Sequence, residues 1–432
     1  MMTNTPDAMN DLYNAFLHIG KSALDFIASL PRPCPPHGKI RKLAIGQQEV
    51  WGQLHQELSK KEADRRPVIW LHASSLGEYG VARPIARQLC AQGRWQIVVT
   101  FFSPTGYEAL KGKHQGEADH VFYLPLDTRR QARAFLDIVH PAKALFIISE
   151  YWPNYLCELK RRGIPTFLVS GLITPKAPFF HWYGGRFRDA LKAFTHFMVL
   201  DEASAKRLES LGHTNVTVTG DPLFDNAAAV ASTPWHNPIV ERFTAGRHVF
   251  VAGSVEGRKD LELVCTLANR HKDIRFIIVP HEISAEGLRR IKCLLAGAAR
   301  CYSECTEATD FGNVQTLIID FVGALARLYR YGTWAYVGGG FTPRLHSVIE
   351  PAVYGIPVAF GPRTERKITP REMERLGIGR VVRTAAELDK WFAPLTANPM
   401  RLEQIRQNAL AYTRRNVGAT KEIMHIISDG QP

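Results

Sequence analysis

Residues 67–89 read PVIWLHASSLGEYGVARPIARQL, and the reading of this stretch decides the fold. Val68-Ile69-Trp70-Leu71 is a short apolar run of the kind buried in a parallel sheet. His72 to Gly77 is small and polar, as a strand-to-helix turn requires. From Glu78 onward, Val81, Ile85 and Leu89, with Ala82 and Ala86 beside them, recur at helical spacing. The pattern predicts a strand, a turn and a helix, with the Glu78 carboxylate in the first helical turn above the carboxyl end of the strand. Ligands of open α/β sheets bind at that edge. On position alone Glu78 is either a ligand-facing group or a helix-end carboxylate worth roughly 0.3–1 kcal/mol against the dipole.

The same alternation continues on the C-terminal side. Apolar runs at 95–101, 120–124, 144–148, 166–169 and 197–200 read as strands separated by helical patterns. This repetition predicts βαβ units and a parallel sheet. A second series starts after the proline-bearing stretch 232–238, with strands at 249–254, 276–280, 316–320, 334–337 and 357–361. A helix is expected over Phe321–Tyr329 and another from Arg344 to Ala352. The resulting domain reading is 1–38 as an N-terminal helix and connector, 39–231 and 239–400 as two α/β domains, and 401–432 as a helix returning to the first. Residues 11–30 carry Leu12, Phe16, Ile19, Ala23, Phe26 or Ile27, and Leu30 on one stripe, which either packs on its own domain or lies in a membrane interface. The prolines between 31 and 36 make a stiff connector.

The totals bound the partners. The chain has 432 residues, 45% hydrophobic and 22% charged, which suits a globular protein of two domains. A net charge of +13 favours an anionic partner, and with no nucleic-acid module in the sequence that means a phosphorylated substrate or lipid surface. Seven scattered cysteines with no C-x-x-C indicate neither a disulfide framework nor a zinc site. No run of about 18 apolar residues reads as a membrane span.

The phrase Trp70-Leu-His-Ala-Ser-Ser-Leu-Gly-Glu78 resembles the signature of the Kdo transferases, which move 3-deoxy-D-manno-octulosonic acid (Kdo) from CMP-Kdo onto a lipid A precursor. Ser103-Pro-Thr-Gly106, Leu124-Pro-Leu-Asp127 and Glu150-Tyr-Trp-Pro-Asn154 follow in the family's order. The resemblance implies a GT-B glycosyltransferase with two Rossmann-like domains facing a cleft. It implies Glu78 as general base, with Ser75, Gly77, Thr105 and Trp152 about the acceptor. Glu150 is left as a carboxylate that binds acceptor hydroxyls or caps its helix. In the second half it implies donor contacts from Gly253, Ser254, Pro280, His281, Gly323, Leu325, His346, Ser347 and Glu350. Glu350 would take the ribose hydroxyls, the alternative being a helix cap. The absence of Asp-x-Asp favours metal-independent transfer without a cofactor, CMP-Kdo being the donor substrate. A peripheral place on the cytoplasmic face of the inner membrane would follow.

The sequence also departs from the family. Val279-Pro-His-Glu282 lacks the arginine of Val-Pro-Arg-His, and Arg344-Leu-His-Ser-Val-Ile-Glu350 lacks two glycines and the asparagine of Gly-Gly-His-Asn-x-x-Glu. Leu223 stands where a basic residue is usual, and Gly171-Leu-Ile-Thr-Pro-Lys176 has lost the family's Ser/Arg character. Rival readings are a GT-B glycosyltransferase or sugar-nucleotide epimerase with another donor, and an inactive homologue that binds lipopolysaccharide precursor.

Overall fold

A computed structural model describes residues 6–29, 38–58, 64–113, 116–364 and 367–429. The chain divides into two units, 1–225 with 418–432, and 226–417. Seven parallel strands build the first: β1 (Val68–His72), β2 (Gln96–Phe101), β3 (His120–Tyr123), β4 (Pro141–Ile147), β5 (Thr166–Gly171), β6 (His196–Val199) and β7 (Val216–Val218). Their order is β3-β2-β1-β4-β5-β6-β7. The order reverses between β1 and β4, so the helices after these two strands lie on opposite faces and a crevice opens above their carboxyl ends. Trp70 is the largest side chain fully buried on β1. It packs between Phe135, Phe146 and Tyr155 at centroid distances of 4.9, 5.1 and 5.5 Å.

The second unit repeats the scheme with β8 (Val249–Val255), β9 (Arg275–Pro280), β10 (Ala298–Cys301), β11 (Val314–Ile318), β12 (Trp334–Val337), β13 (Val358–Phe360) and β14 (Gly379–Val381). The order is β10-β11-β9-β8-β12-β13-β14, with the reversal between β8 and β12. Near-continuous burial along β1, β2, β11 and β12 is what a sheet covered on both faces demands.

Four sequence expectations are corrected. The division falls at 225/226, so residues 226–231, read as part of the first domain, lie with the second unit. The tail is two helices: Pro399–Asn416 belongs to the second unit and Ala419–Asp429 to the first, broken at Gly418, whose φ of 124° no helix tolerates. Phe321–Tyr329 is α-helical only over Leu325–Leu328, running on into a 3-10 turn at Tyr329–Tyr331, because Gly323 turns the chain with φ 94°. The segment after Arg344 stays irregular until Ile349–Ala352. The connector at 31–36 lies outside the described residues, as does Leu30, while Pro6–Ser29 is helical.

The N-terminal helix keeps both fates that the sequence left open. Tyr13 donates to Asp127 at 2.9 Å and meets Phe187 edge-on, fastening one face to the first unit. The apolar stripe lies on the other face: Phe16, Ile19 and Phe26 are 73%, 70% and 66% exposed.

Candidate functional site

Glu78 stands at the third position of the helix Leu76–Ala91, directly after β1. Ser75 caps that helix in extended geometry, its hydroxyl accepting from the Glu78 amide, and a Glu78 carboxylate oxygen accepts from the Ser75 amide at 3.1 Å. This is a capping box, and it locks the carboxylate at the β1 edge. Burial, then the nearby Glu150 charge, push the Glu78 carboxyl up to about 7, although the Ser75 and Ser74 amides pull it down. Ground-state capping and readiness to take a proton at neutral pH therefore coexist in one side chain.

Glu150 follows β4 across the reversal point. One of its oxygens receives Ser74 Oγ at 2.5 Å and Trp152 Nε1 at 2.6 Å, and lies 3.2 Å from His72 Nε2. Burial alone would raise this carboxyl, but His72, Ser74 and Trp152 outweigh it and hold it below the usual range. Glu150 does not cap the next helix; the Pro153–Arg161 cap position is Trp152, which makes no side-chain cap bond. The N-terminal amides of that helix instead reach Asp127, which accepts from Asn154 and Tyr155 at 3.1 and 2.9 Å. Behind Glu150, His72 Nδ1 lies 2.9 Å from Thr100 Oγ1, which accepts from Trp70 Nε1 at 2.8 Å. The relay Trp70–Thr100–His72–Glu150 is fully paired and fixes the Glu150 orientation.

Two neighbouring carboxylates with pKa values driven apart are the pattern of a divided role, one group ionised and one poised to exchange a proton. Ser75, Gly77 and Thr105 lie on the same edge, Gly77 and Thr105 exposed. Gly77 has no packing reason to be glycine, since an added Cβ would meet nothing nearer than Ser75 Oγ at 3.9 Å. Trp152 packs on Phe102 at 5.1 Å and on His72 at 5.6 Å.

In the second unit, the residues that sequence marks for the donor come together at the carboxyl ends of β11, β9, β8 and β12, four strands adjacent in the sheet. Gly253 and Ser254 end β8, Pro280 and His281 end β9, Gly323 and Leu325 follow β11, and His346, Ser347 and Glu350 follow β12. Ser254 sits at φ 51°, a left-handed conformation that costs of order 1–3 kcal/mol for a non-glycine residue and clusters at functional edges. The register between β8 and β9 shifts there. The rings of His281 and His346 are 4.6 Å apart. His346 is pushed down to about 4 by burial and by His281. Glu350 is half-buried with no hydrogen-bond partner among the described residues, and burial pushes its carboxyl up to about 7. It makes no cap bond.

Gly253 has an internal explanation that Gly77 lacks. A Cβ there would stand 2.1 Å from the Tyr329 hydroxyl and 2.8 Å from Leu325 Cδ1. Gly253→Ala is expected to lower stability by about 1–3 kcal/mol through overpacking, whereas Gly77→Ala should leave the melting temperature unchanged or raise it. Thermal melts of the two variants check the contrast; equal behaviour would refute it.

Sequence reasoning missed His72, Glu256 and Asp260. Asp260, fully buried, accepts from Tyr336 Oη, Gly339 N and Glu256 N at 2.5, 2.8 and 2.9 Å, joining the β8 and β12 loops. Glu256 pairs with Arg344 at 2.6 Å.

Two doubly wound units, each with its polar set at the reversal point of its sheet, have the GT-B fold. Solved structures agree on the fold. UDP-GlcNAc 2-epimerase from Neisseria meningitidis matches with TM-score 0.60 at 16% identity, over 84% of this chain and 100% of that one. MurG from Acinetobacter baumannii matches with TM-score 0.53 at 15% identity, over 84% and 99%. Residues 47–226 match the family model described as 3-deoxy-D-manno-octulosonic-acid transferase (kdotransferase), in agreement with the resemblance read from the sequence. The chain is 27% identical to the 3-deoxy-D-manno-octulosonic acid transferase of Bordetella pertussis, over 84% of this chain and 87% of that protein. It is 26% identical to a bifunctional glycosyltransferase/methyltransferase of Fusobacterium nucleatum, over 78% of this chain but only 54% of that longer protein.

Proposed function

We propose that this protein is a glycosyltransferase that moves Kdo from CMP-Kdo onto a lipid A precursor at the cytoplasmic face of the inner membrane. The observation that carries the reading is the carboxylate pair at the first reversal point, with burial pushing the Glu78 carboxyl up to about 7 and His72, Ser74 and Trp152 holding Glu150 below the usual carboxylate range. Glu78 removes the proton of an acceptor hydroxyl as its oxygen attacks the anomeric carbon, and the CMP phosphate leaves from the second unit. Glu150, fixed by His72, Ser74 and Trp152, orients the acceptor and keeps the Glu78 proton affinity high. Glu350 binds the ribose hydroxyls. Proton removal by Glu78 calls on no cofactor. A cavity of about 270 Å³ beside Asn154 is lined by Arg129, Arg133, Arg161 and Arg186 against Glu158 and Asp189, four cations to two anions. Its positive balance suits the phosphates of the acceptor. Release of CMP from CMP-Kdo, with and without tetra-acylated lipid A precursor, tests the reaction; no acceptor-dependent release refutes it.

No helix among the described residues is long and apolar enough to cross a membrane. Contact with the bilayer is assigned to Phe16, Ile19 and Phe26, with Trp182, 86% exposed, as a further apolar side chain of the same unit. Burying one such side chain is worth roughly 1.5–3 kcal/mol. Replacing Phe16, Ile19 and Phe26 together by serine should weaken binding to anionic vesicles at least tenfold without changing the melt. Unchanged co-sedimentation would overturn this placement.

A second reading, another anionic sugar nucleotide as donor, is favoured by His281 and Arg344 standing where the family has arginine and glycine. Release of a different nucleotide by the same protein separates the two.

A further inference from the structure

We infer that Glu256, His281 and His346 form a binding site for a divalent transition-metal ion of the zinc class at the carboxyl edge of the second sheet. One donor atom of each residue lies within 4.8 Å of the other two, the single such group among the described residues. Three separate strands deliver them: Glu256 follows β8, His281 follows β9 and His346 follows β12. Backbone bonds brace this convergence, His281 N donating to Val255 O at 3.0 Å and His346 N to Gly338 O at 3.1 Å.

The state of the donor atoms points to an ion rather than to a closed polar cluster. Glu256 Oε2 and His346 Nε2 are both buried and neither has a hydrogen-bond partner. They lie 3.6 Å apart, just beyond hydrogen-bond length. Two ligands on a tetrahedral ion, with metal bonds of about 2.0–2.2 Å, stand roughly 3.3–3.6 Å from each other. Two buried polar atoms left unpaired are destabilising, and a shared cation gives both a partner. Arg344 holds the other Glu256 oxygen at 2.6 Å, which orients Oε2 toward the histidines. His281, exposed, closes the set by a side-chain rotation. Two imidazoles and one carboxylate are a ligand set that zinc accepts, with a fourth position open to water or an anionic oxygen. This donor set is distinct from the absent Asp-x-Asp, on which the expectation of metal-free transfer rested, and it stands whichever nucleotide the edge takes.

The test uses full-length protein stripped with chelator and titrated with Co²⁺, in the absence of any nucleotide, so that its outcome is independent of the donor assignment. One Co²⁺ per chain with the intense visible bands of a four- or five-coordinate ion, displaced by Zn²⁺, is the expected result. His281→Ala, at an exposed position, should melt as the wild type does and bind Co²⁺ at least tenfold more weakly. Glu256→Gln should weaken binding likewise, while His425→Ala, far away in sequence on the last helix, should not. No stoichiometric Co²⁺ binding, or binding indifferent to His281→Ala, would overturn the site.

Discussion

Glu78→Gln lowers turnover by roughly 10²–10⁴-fold, the contribution of a positioned general base, and does so without loosening the fold. Glutamine serves in a capping box as glutamate does, so the Ser75–residue 78 lock on the helix Leu76–Ala91 survives. What disappears is the negative charge and its proton affinity. A general base acts deprotonated, so the wild-type rate should rise with pH through about 7, and the variant's residual rate should be nearly flat. Stability moves the opposite way. A carboxyl raised from 4.5 to about 7 by folding contributes stability that is complete below the unfolded value and lost as pH rises through 7. At pH 8 the ionised Glu78, half-buried beside Glu150, costs on the order of 1–3 kcal/mol, so the variant should melt above the wild type there and level with it near pH 4.5. Melts at the two pH values and CMP-release rates across pH 5.5–8.5 check both halves. A variant that keeps wild-type turnover removes Glu78 as the base; one that melts below the wild type at pH 8 shows that the charge stabilises instead.

The carboxylates illustrate what a linear sequence carries and what it omits. Strand runs and helical spacing were enough to put Glu78 and Glu150 at the carboxyl edge of one parallel sheet, because period and turn chemistry are local properties. Which of the two holds the higher pKa was not legible, since it depends on His72, Ser74 and Trp152 converging on Glu150 across 78 residues of sequence. His72 itself was overlooked because it ends an apolar strand, where a buried histidine reads as packing. Gly253 was read as a ligand contact, yet the Tyr329 hydroxyl behind it already demands glycine. The helix expected over 321–329 failed for a local reason that composition conceals: Ala, Leu, Arg and Tyr favour helix on average, but Gly323 in a left-handed conformation ends any helix through it. Gly418 divides the tail helix in the same way.

Asp260→Ala should be the most damaging single change in the second unit. The carboxylate is inaccessible to solvent and takes three donors, Tyr336 Oη, Gly339 N and Glu256 N. Burial raises its pKa, which the three donors oppose without cancelling. Alanine leaves a hydroxyl and two backbone amides buried without acceptors, each costing about 1–3 kcal/mol, for a total on the order of 3–5 kcal/mol. At roughly 2–4 °C per kcal/mol for a unit of this size, the second unit should melt about 10 °C lower. The loss therefore spreads to the left-handed Ser254 and to the β12 loop that carries His346 and Glu350, and nucleotide binding should fall with stability. Asp260→Asn separates the two causes. Its amide oxygen can still accept from both backbone amides while its NH₂ donates to Tyr336 Oη, so most of the stability should return. A melt of Asp260→Ala within 2 °C of the wild type would mean that the β8 and β12 loops hold their positions without this tie.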